Sequence, residues 1–160
     1  MGSDSEKPSA RIELRSATEA DAAAIQALVV SAYEHYIERM GKPPGPMLDD
    51  YERVVREHRV RVAIDGDAIV GVSVLIEQPD GILLDNVAVS PNHQGFGIGK
   101  RLILAAEDEC RALGYASVEL YTHELMTENI AMYTRMGYEE IARREVKGYR
   151  RIYMKKDLGS

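Results

Sequence analysis

Glycine stands at positions 95, 97 and 99 in the stretch His93-Gln-Gly-Phe-Gly-Ile-Gly-Lys100, between an apolar strand-like run and a helix-like one. A strand, a tight glycine turn and a helix start together present unpaired backbone N–H groups at the positive end of a helix dipole, which makes an anion site. Glycine is needed there because it accepts positive φ and lets a ligand touch the main chain with no Cβ in the way. Two established phosphate loops fail on spacing. A P-loop needs four residues between its glycine and Gly-Lys-Ser/Thr, whereas only three separate Gly95 from Gly99-Lys100, and Arg101 follows. The dinucleotide fingerprint needs a third glycine where Lys100 stands.

Other residues could move protons. Asp85 is a carboxylate inside the apolar run Leu84-Asp-Asn-Val-Ala-Val89, and burying it without a partner is costly. Its plainer alternative is a hydrogen-bonded strand carboxylate that only orients a neighbour. His123 has the reference pKa nearest neutrality, and Glu77 and Glu119 are further base candidates. Cys110 is the one cysteine; it falls mid-helix on an apolar stripe, where a thiol is usually inert. No internal disulfide and no cysteine-cluster metal site can form, and no metal is expected.

A chain of 160 residues is long enough for a single domain with a real core. Its 45% apolar and 29% charged residues are ordinary for a globular protein. A net charge of −6 disfavours nonspecific nucleic-acid binding, which needs a basic face. No apolar run reaches the roughly 18 residues of a membrane helix. With no signal-peptide pattern at the amino terminus, the expected location is cytoplasmic, without membrane attachment.

The elements that must position these groups follow from periodicity. Residues 1–9, MGSDSEKPS, are small and polar and are expected to be a disordered tail ahead of one domain over residues 10–157. Arg11 to Ser16 alternates like a strand, and Thr18-Glu-Ala-Asp21 is a capping box. It opens a helix to about Met40, with the stripe Ile25, Leu28, Val29, Ala32, Tyr36. Gly41-Lys-Pro-Pro-Gly-Pro46 stops it, and a shorter helix is expected over 47–58. Strands are expected at 60–64, 68–76 and 82–89, joined by turns at Asp65-Gly66-Asp67 and Pro79-Asp80-Gly81. After the glycine stretch come a helix to Leu113, a strand over 116–121, a helix over 127–136, and strands over 138–146 and 149–155. The order β-α-α-β-β-β-α-β-α-β-β predicts a mixed α/β domain around one sheet.

The pattern that does fit the glycine stretch is Gln/Arg-x-x-Gly-x-Gly/Ala, here Gln94-Gly-Phe-Gly97-Ile-Gly99. It resembles the pyrophosphate loop of the GCN5-related N-acetyltransferases. Thirty residues on, Asn129-Ile-Ala-Met-Tyr133-Thr-Arg-Met-Gly137-Tyr138 is similar to that family's second motif, with one residue fewer before the tyrosine. The element order also agrees, so the resemblance covers residues 11–156.

The resemblance implies a mostly antiparallel, twisted central sheet flanked by helices, with acetyl-CoA as co-substrate. It implies a cofactor site from the main chain of Val87, Ala88 and Val89, the loop Gln94, Gly95, Phe96, Gly97, Ile98, Gly99 and Lys100, and from Asn129 and Tyr133. The Val87 amide would polarise the thioester carbonyl. Tyr133 would act as general acid near the sulfur, and Asp85 as base through water, as in polyamine acetyltransferases. Gln94 stands where the family often has arginine, which puts more of the pyrophosphate binding on backbone amides, Lys100 and Arg101. Acceptor contacts are expected from the first helix and its proline-rich exit, with Tyr33, Tyr36 and His123 as candidates. The implied reaction is direct transfer in a ternary complex to a primary amine of a small molecule or peptide. A non-catalytic acetyl-CoA sensor or interaction module is the alternative, and a homodimer is left open.

Overall fold

The computed structural model describes residues 11–159, so the tail expected over residues 1–9 lies outside the described residues. Strand β1 (Glu13–Ser16) leads through a one-turn 3₁₀ segment, Glu19–Asp21, into helix α1 (Ala22–Tyr33). At that corner the Thr18 backbone N–H donates to the Asp21 carboxylate at 2.8 Å. Helix α2 (His35–Met40) continues α1 after a break at Glu34. The single long helix expected from the apolar stripe is thus two. No proline or glycine causes the break; the backbone tightens for one turn, with Ile37 N–H donating to the Glu34 carbonyl.

The second expected helix is also shorter, and is α3 (Tyr51–Glu57) behind a 3₁₀ turn at Gly45–Leu48. Its start is set by Asp50, whose carboxylate accepts from the Glu52 and Arg53 N–H groups. Strands β2 (Arg59–Asp65), β3 (Ala68–Gln78) and β4 (Gly81–Val89) then form an antiparallel meander. Helix α4 (Ile98–Ala112), strand β5 (Ser117–His123), helix α5 (Thr127–Arg135), and strands β6 (Glu139–Val146) and β7 (Tyr149–Asp157) complete the chain.

All seven strands form one sheet in the order β1-β2-β3-β4-β5-β7-β6. Only β4 and β5 run parallel. On one face α1 and α3 bury Ile25, Leu28, Val29 and Tyr51 against Val60, Val62, Val72, Val74 and Ala88. On the other, α4 and α5 bury Ile103, Ala106, Cys110 and Tyr133 against Leu84, Leu120, Ile152 and Met154. Each fully buried aliphatic side chain contributes about 1.5–3 kcal/mol. α4 sits close on β3 because position 71 is glycine: a Cβ there would lie 2.9 Å from Leu102 Cδ1. That close seat fixes where the helix begins, and so where the glycine loop stands.

Two irregularities in the sheet shape everything that follows. The β4–β5 ladder pairs only Leu83 with Glu119 and Leu84 with Leu120, so the two strands separate beyond residue 84. Within β4, Val74 of β3 faces Asn86 while Leu75 faces Leu84, which leaves Asp85 as the extra residue of a β-bulge. Ile82 and Leu84 point to the α4 face and Ala88 to the α1 face. The bulge therefore turns both Asp85 and Asn86 towards the α1 side.

Candidate active site

Beyond Val89, a short turn (Pro91–His93) leads into the glycine loop and α4. Gly95 and Gly97 have φ of 88° and 82°, values that strain any residue with a Cβ. Gly97 caps α4 without a side-chain hydrogen bond, and Arg101 is the first residue to close an intrahelical bond onto it, at 3.0 Å. The N–H groups of Ile98, Gly99 and Lys100 therefore have no partner within the helix. A Cβ at Gly95 or Gly97 would meet nothing within 4 Å and would stand in open space. The loop is thus a bare main-chain cradle at a helix N-terminus, suited to a phosphate. It walls a cleft of about 490 Å³ whose other sides are Val87, Ala88, Val89, Asn129, Met132 and Arg135.

The cleft runs along the open edge of β4. Ser90 N–H donates to Val70 of β3, so by strand alternation Val87 and Val89 turn their backbone groups away from β3, towards the gap. Two side-chain contacts agree with this. Tyr33 Oη lies 2.9 Å from the Val87 carbonyl oxygen, and Gln94 Nε2 donates to the Val89 carbonyl at 3.1 Å. Val87 N–H is left facing the gap between the strands. That edge is the right place and polarity for an extended chain rich in amides, as in a pantetheine arm.

At Tyr33, Val87 and Asn129 the cleft meets a second, smaller cavity of about 50 Å³. Its walls include Asp85, Tyr121, His123, Tyr133, Tyr149 and Arg151. Tyr121 donates its hydroxyl to Asp85 Oδ1 at 3.0 Å, and the Arg151 guanidinium lies 4.0 Å above the Tyr121 ring. Burial pushes the Asp85 carboxyl above the ordinary carboxylate range, against the opposing pull of the Tyr121 hydrogen bond and of Arg151. Tyr133 is 5% exposed, its ring meets Tyr138 edge-on at 5.8 Å, and burial raises its pKa. Among the described residues no group hydrogen-bonds its hydroxyl, and the residue lines the inner cavity. The roof is braced by a hydrogen-bond chain: Asn86 Nδ2 donates to Tyr51 Oη at 3.0 Å, and Tyr51 donates to the Pro46 carbonyl at 2.7 Å.

Residues 22–138 match the profile of the Acetyltransferase (GNAT) family. The chain belongs to that family. The GNAT acetyltransferase of Elizabethkingia anophelis, solved with acetyl-CoA bound, superposes at a TM-score of 0.72 with 16% identity, over 92% of this chain and 98% of that one. A GNAT acetyltransferase from Staphylococcus aureus Mu50 superposes at 0.77 with 16% identity, over 92% and 99%. At such identities the likeness speaks for the fold. In sequence, the uncharacterized N-acetyltransferase YvbK of Bacillus subtilis (strain 168) is 27% identical over 100 residues, 62% of this chain. The match spans 63% of that relative's length.

Within this GNAT fold the residues singled out from the sequence divide into three groups. Val87, Ala88, Val89, Gly95, Gly97, Gly99, Lys100 and Asn129 line the cleft, and Ile98 does so through its main chain, its side chain being buried in the core. Asp85, Tyr133, Tyr33 and His123 line the inner cavity. Three residues stand differently from their expected roles. Phe96 is 44% exposed and outside the cleft lining, so its ring turns to solvent. Gln94 commits a side-chain donor to its own strand end at Val89 instead of leaving both for an anion. Tyr36 faces the cleft, not the inner cavity, and its hydroxyl reaches Glu128 at 3.4 Å, beside the Arg39–Glu128 ion pair at 2.9 Å.

His123 is limited by its own hydrogen bond. Leu125 N–H donates to His123 Nδ1 at 3.1 Å, which places the proton of the neutral ring on Nε2. Burial lowers the pKa of this ring, so near neutrality it offers a donor and no free lone pair. Glu77 pairs with Arg59 at 3.1 Å and, like Glu119, lies outside both cavities. Tyr121, Tyr149 and Arg151 were missed by sequence reasoning. Their one signal is strand alternation, since Tyr121 and Arg151 share the face of His123, opposite the buried Leu120 and Ile152.

Proposed function

We propose that the protein transfers the acetyl group of acetyl-CoA directly to a primary amine of a small molecule or peptide, bound in the inner cavity while the coenzyme occupies the cleft. The observation that carries this is the meeting of the two spaces at Val87, with Asp85 and the unpartnered Tyr133 hydroxyl on the walls of the inner one. Acetyl-CoA supplies the activated acyl group and a thiolate that leaves. The N–H groups of residues 98–100 and the side chain of Lys100 hold its phosphates, and the free edge of β4 holds its amide-rich arm. Val87 N–H, pointing into the gap, polarises the acyl carbonyl.

Asp85 takes the proton that the amine must lose. Its raised pKa brings it closer to neutrality, where a general base works best. The Tyr121 hydroxyl fixes the carboxylate's orientation. Tyr133 holds its proton throughout the working pH range and gives it to the departing sulfur. His123, donating through Nε2, orients the acceptor or a water and does not serve as base. Cys110 takes no part: it is fully buried in α4 and burial pushes its thiol up to about 11, which argues for direct transfer without an acetyl-cysteine.

Calorimetric titration with acetyl-CoA, coenzyme A and a plain dinucleotide, followed by thiol release with a panel of amines, tests the reading. Micromolar, coenzyme-selective binding and amine-dependent thiol release are expected. Absence of binding would remove the cradle assignment, and binding without release for any amine would remove the transferase one.

A further inference from the structure

The sheet face that carries the inner cavity also carries two arginines, Arg151 and Arg144, that make no ion pair among the described residues; Asp85 and Asp49 act on Arg151 only from longer range. By register, His123 of β5 faces Arg151 of β7, which faces Arg144 of β6. The other arginines of this strand pair are neutralised: Arg143 by Glu140 at 2.7 Å and Arg150 by Glu124 at 3.1 Å. Arg151 donates to the Tyr153 hydroxyl at 3.3 Å, and its guanidinium carbon lies 4.0 Å from the centre of the Tyr121 ring. Arg144 lies 5.0 Å from the centre of the Tyr153 ring. Among the described residues neither has a carboxylate at ion-pair distance.

Two like charges directly opposite on neighbouring strands destabilise a sheet, so this pair is a feature that packing alone does not favour. Each guanidinium carries five N–H donors in a planar fork. A guanidinium held over a tyrosine ring keeps its N–H donors along the edge; on Arg151 one of them goes to Tyr153, and those that remain suit bidentate capture of a carboxylate. Arg151 lines both the inner cavity and the open depression beside it that Arg144 shares. That depression is lined by four arginines, Arg143, Arg144, Arg150 and Arg151, against two glutamates, Glu124 and Glu145, so its side-chain charge is positive on balance and opposite in sign to Asp85.

We infer that the acceptor is an amine that also bears a carboxylate, a free amino acid in chemical class, with its amine at Asp85 and its carboxylate on the Arg151 fork, reinforced by Arg144. This rests on the reading of the inner cavity as the acceptor site. It makes Arg151 a specificity-determining residue for the transfer. A charge-assisted bidentate pair sets the size of the effect at about 10- to 100-fold in kcat/KM.

The test uses matched probes with saturating acetyl-CoA: β-alanine, β-alaninamide and ethylamine; L-methionine, L-methioninamide and 3-(methylthio)propylamine; L-tyrosine, L-tyrosinamide and tyramine. In at least one set the acid should exceed both neutralised forms by about 10- to 100-fold in kcat/KM. Arg151→Gln should erase that preference by lowering the rate on the acid far more than on the amine lacking it, and Arg151→Lys should restore part. Amides and decarboxylated amines that match or outdo the acids in every set, or a preference that survives Arg151→Gln, would overturn the inference. If no probe is acetylated, the same acids and amides are titrated onto coenzyme A-loaded protein. Acid-selective binding lost in Arg151→Gln would uphold the carboxylate site while counting against acetyl transfer; unselective or absent binding would overturn the site itself.

Discussion

Replacing Tyr133 by Phe separates chemistry from packing more sharply than any other single change in this molecule. The substitution removes one oxygen that no described residue hydrogen-bonds, and leaves the ring that packs edge-on against Tyr138. That oxygen opens onto the inner cavity and bonds no group of the protein, so its loss removes no internal hydrogen bond and the variant should be about as stable as the wild type. Turnover should fall. General acid catalysis is worth about 10²–10⁴-fold, and a thiolate leaving group, whose conjugate acid has a pKa of about 8.5, needs less proton assistance than an alkoxide. The lower end therefore applies: a fall in kcat of roughly 10²-fold, or about 2.7 kcal/mol of barrier. Thiol release reads the rate, calorimetric titration with acetyl-CoA should show affinity nearly unchanged, and urea unfolding reads stability. An unchanged rate would take Tyr133 out of the mechanism, and a variant less stable by more than about 1 kcal/mol would show that the hydroxyl is a structural partner after all.

Four further outcomes follow from the same structure. Burial raises the Asp85 pKa above its ordinary value near 3.8, so the ionised base is lost as pH falls through that raised value and kcat/KM should show an acid limb there; Asp85→Asn should lower the plateau by about 10²-fold and abolish the limb. The same raised pKa means that the folded state keeps the Asp85 proton longer than the unfolded one, so this group's contribution to stability falls as pH rises from the ordinary value through the raised one. Asp21 and Glu128, held down to about 2, act in the opposite direction in both proteins, so it is the stability of Asp85→Asn relative to the wild type that should rise across that window, as the difference in urea midpoints will show. Gly97→Val places a branched side chain at φ 82° and into the open cradle, and should abolish acetyl-CoA binding in calorimetry while circular dichroism still reports a folded protein. Glu107, 1% exposed, accepts from Tyr138 at 2.9 Å and from Lys156 at 2.9 Å; Lys156→Met strands that carboxylate and should cost about 3–5 kcal/mol in denaturant unfolding, with much of the loss recovered when Glu107→Gln is added.

Most of the frame was legible in the sequence because its signals are local. Gly95 and Gly97 announce their loop by residue type, and Gly114 and Gly137 end helices where the apolar stripes end. What stayed hidden depends on non-local geometry. The run Leu-Leu-Asp-Asn-Val-Ala-Val carries no mark of the one-residue slip at Asp85, since a bulge is defined by the partner strand, here Val74 and Leu75. Tyr121 and Arg151 look like ordinary alternating strand residues until β4 and β5 part and expose their face. Gln94 reads as a phosphate donor by position, yet its side chain is short enough to fold back on Val89. The break at Glu34 has no proline or glycine to betray it, and it leaves Tyr33 at the junction of the two spaces and Tyr36 in the cleft alone.

The site exists because the sheet is left unfinished. A strand whose N–H and C=O groups face no neighbour carries unmet hydrogen bonds, and a central strand is a costly place to leave them. Here the chain leaves them at one point only partly answered: Tyr33 takes the Val87 carbonyl and Gln94 the Val89 carbonyl, while the amides at the open edge stay available. Tyr33 also shares its hydroxyl with Asn86, and Asn86 ties through Tyr51 to Pro46. The proline-rich segment is thus anchored to the bulge that presents Asp85. The open edge, Asp85 and the roof of the inner cavity are in this way tied to one stretch of β4, and a change at the bulge would disturb all three together. That coupling explains why a single carboxylate in an apolar strand is tolerated despite its burial: the bulge that exposes it to the inner cavity also frees the edge beside it.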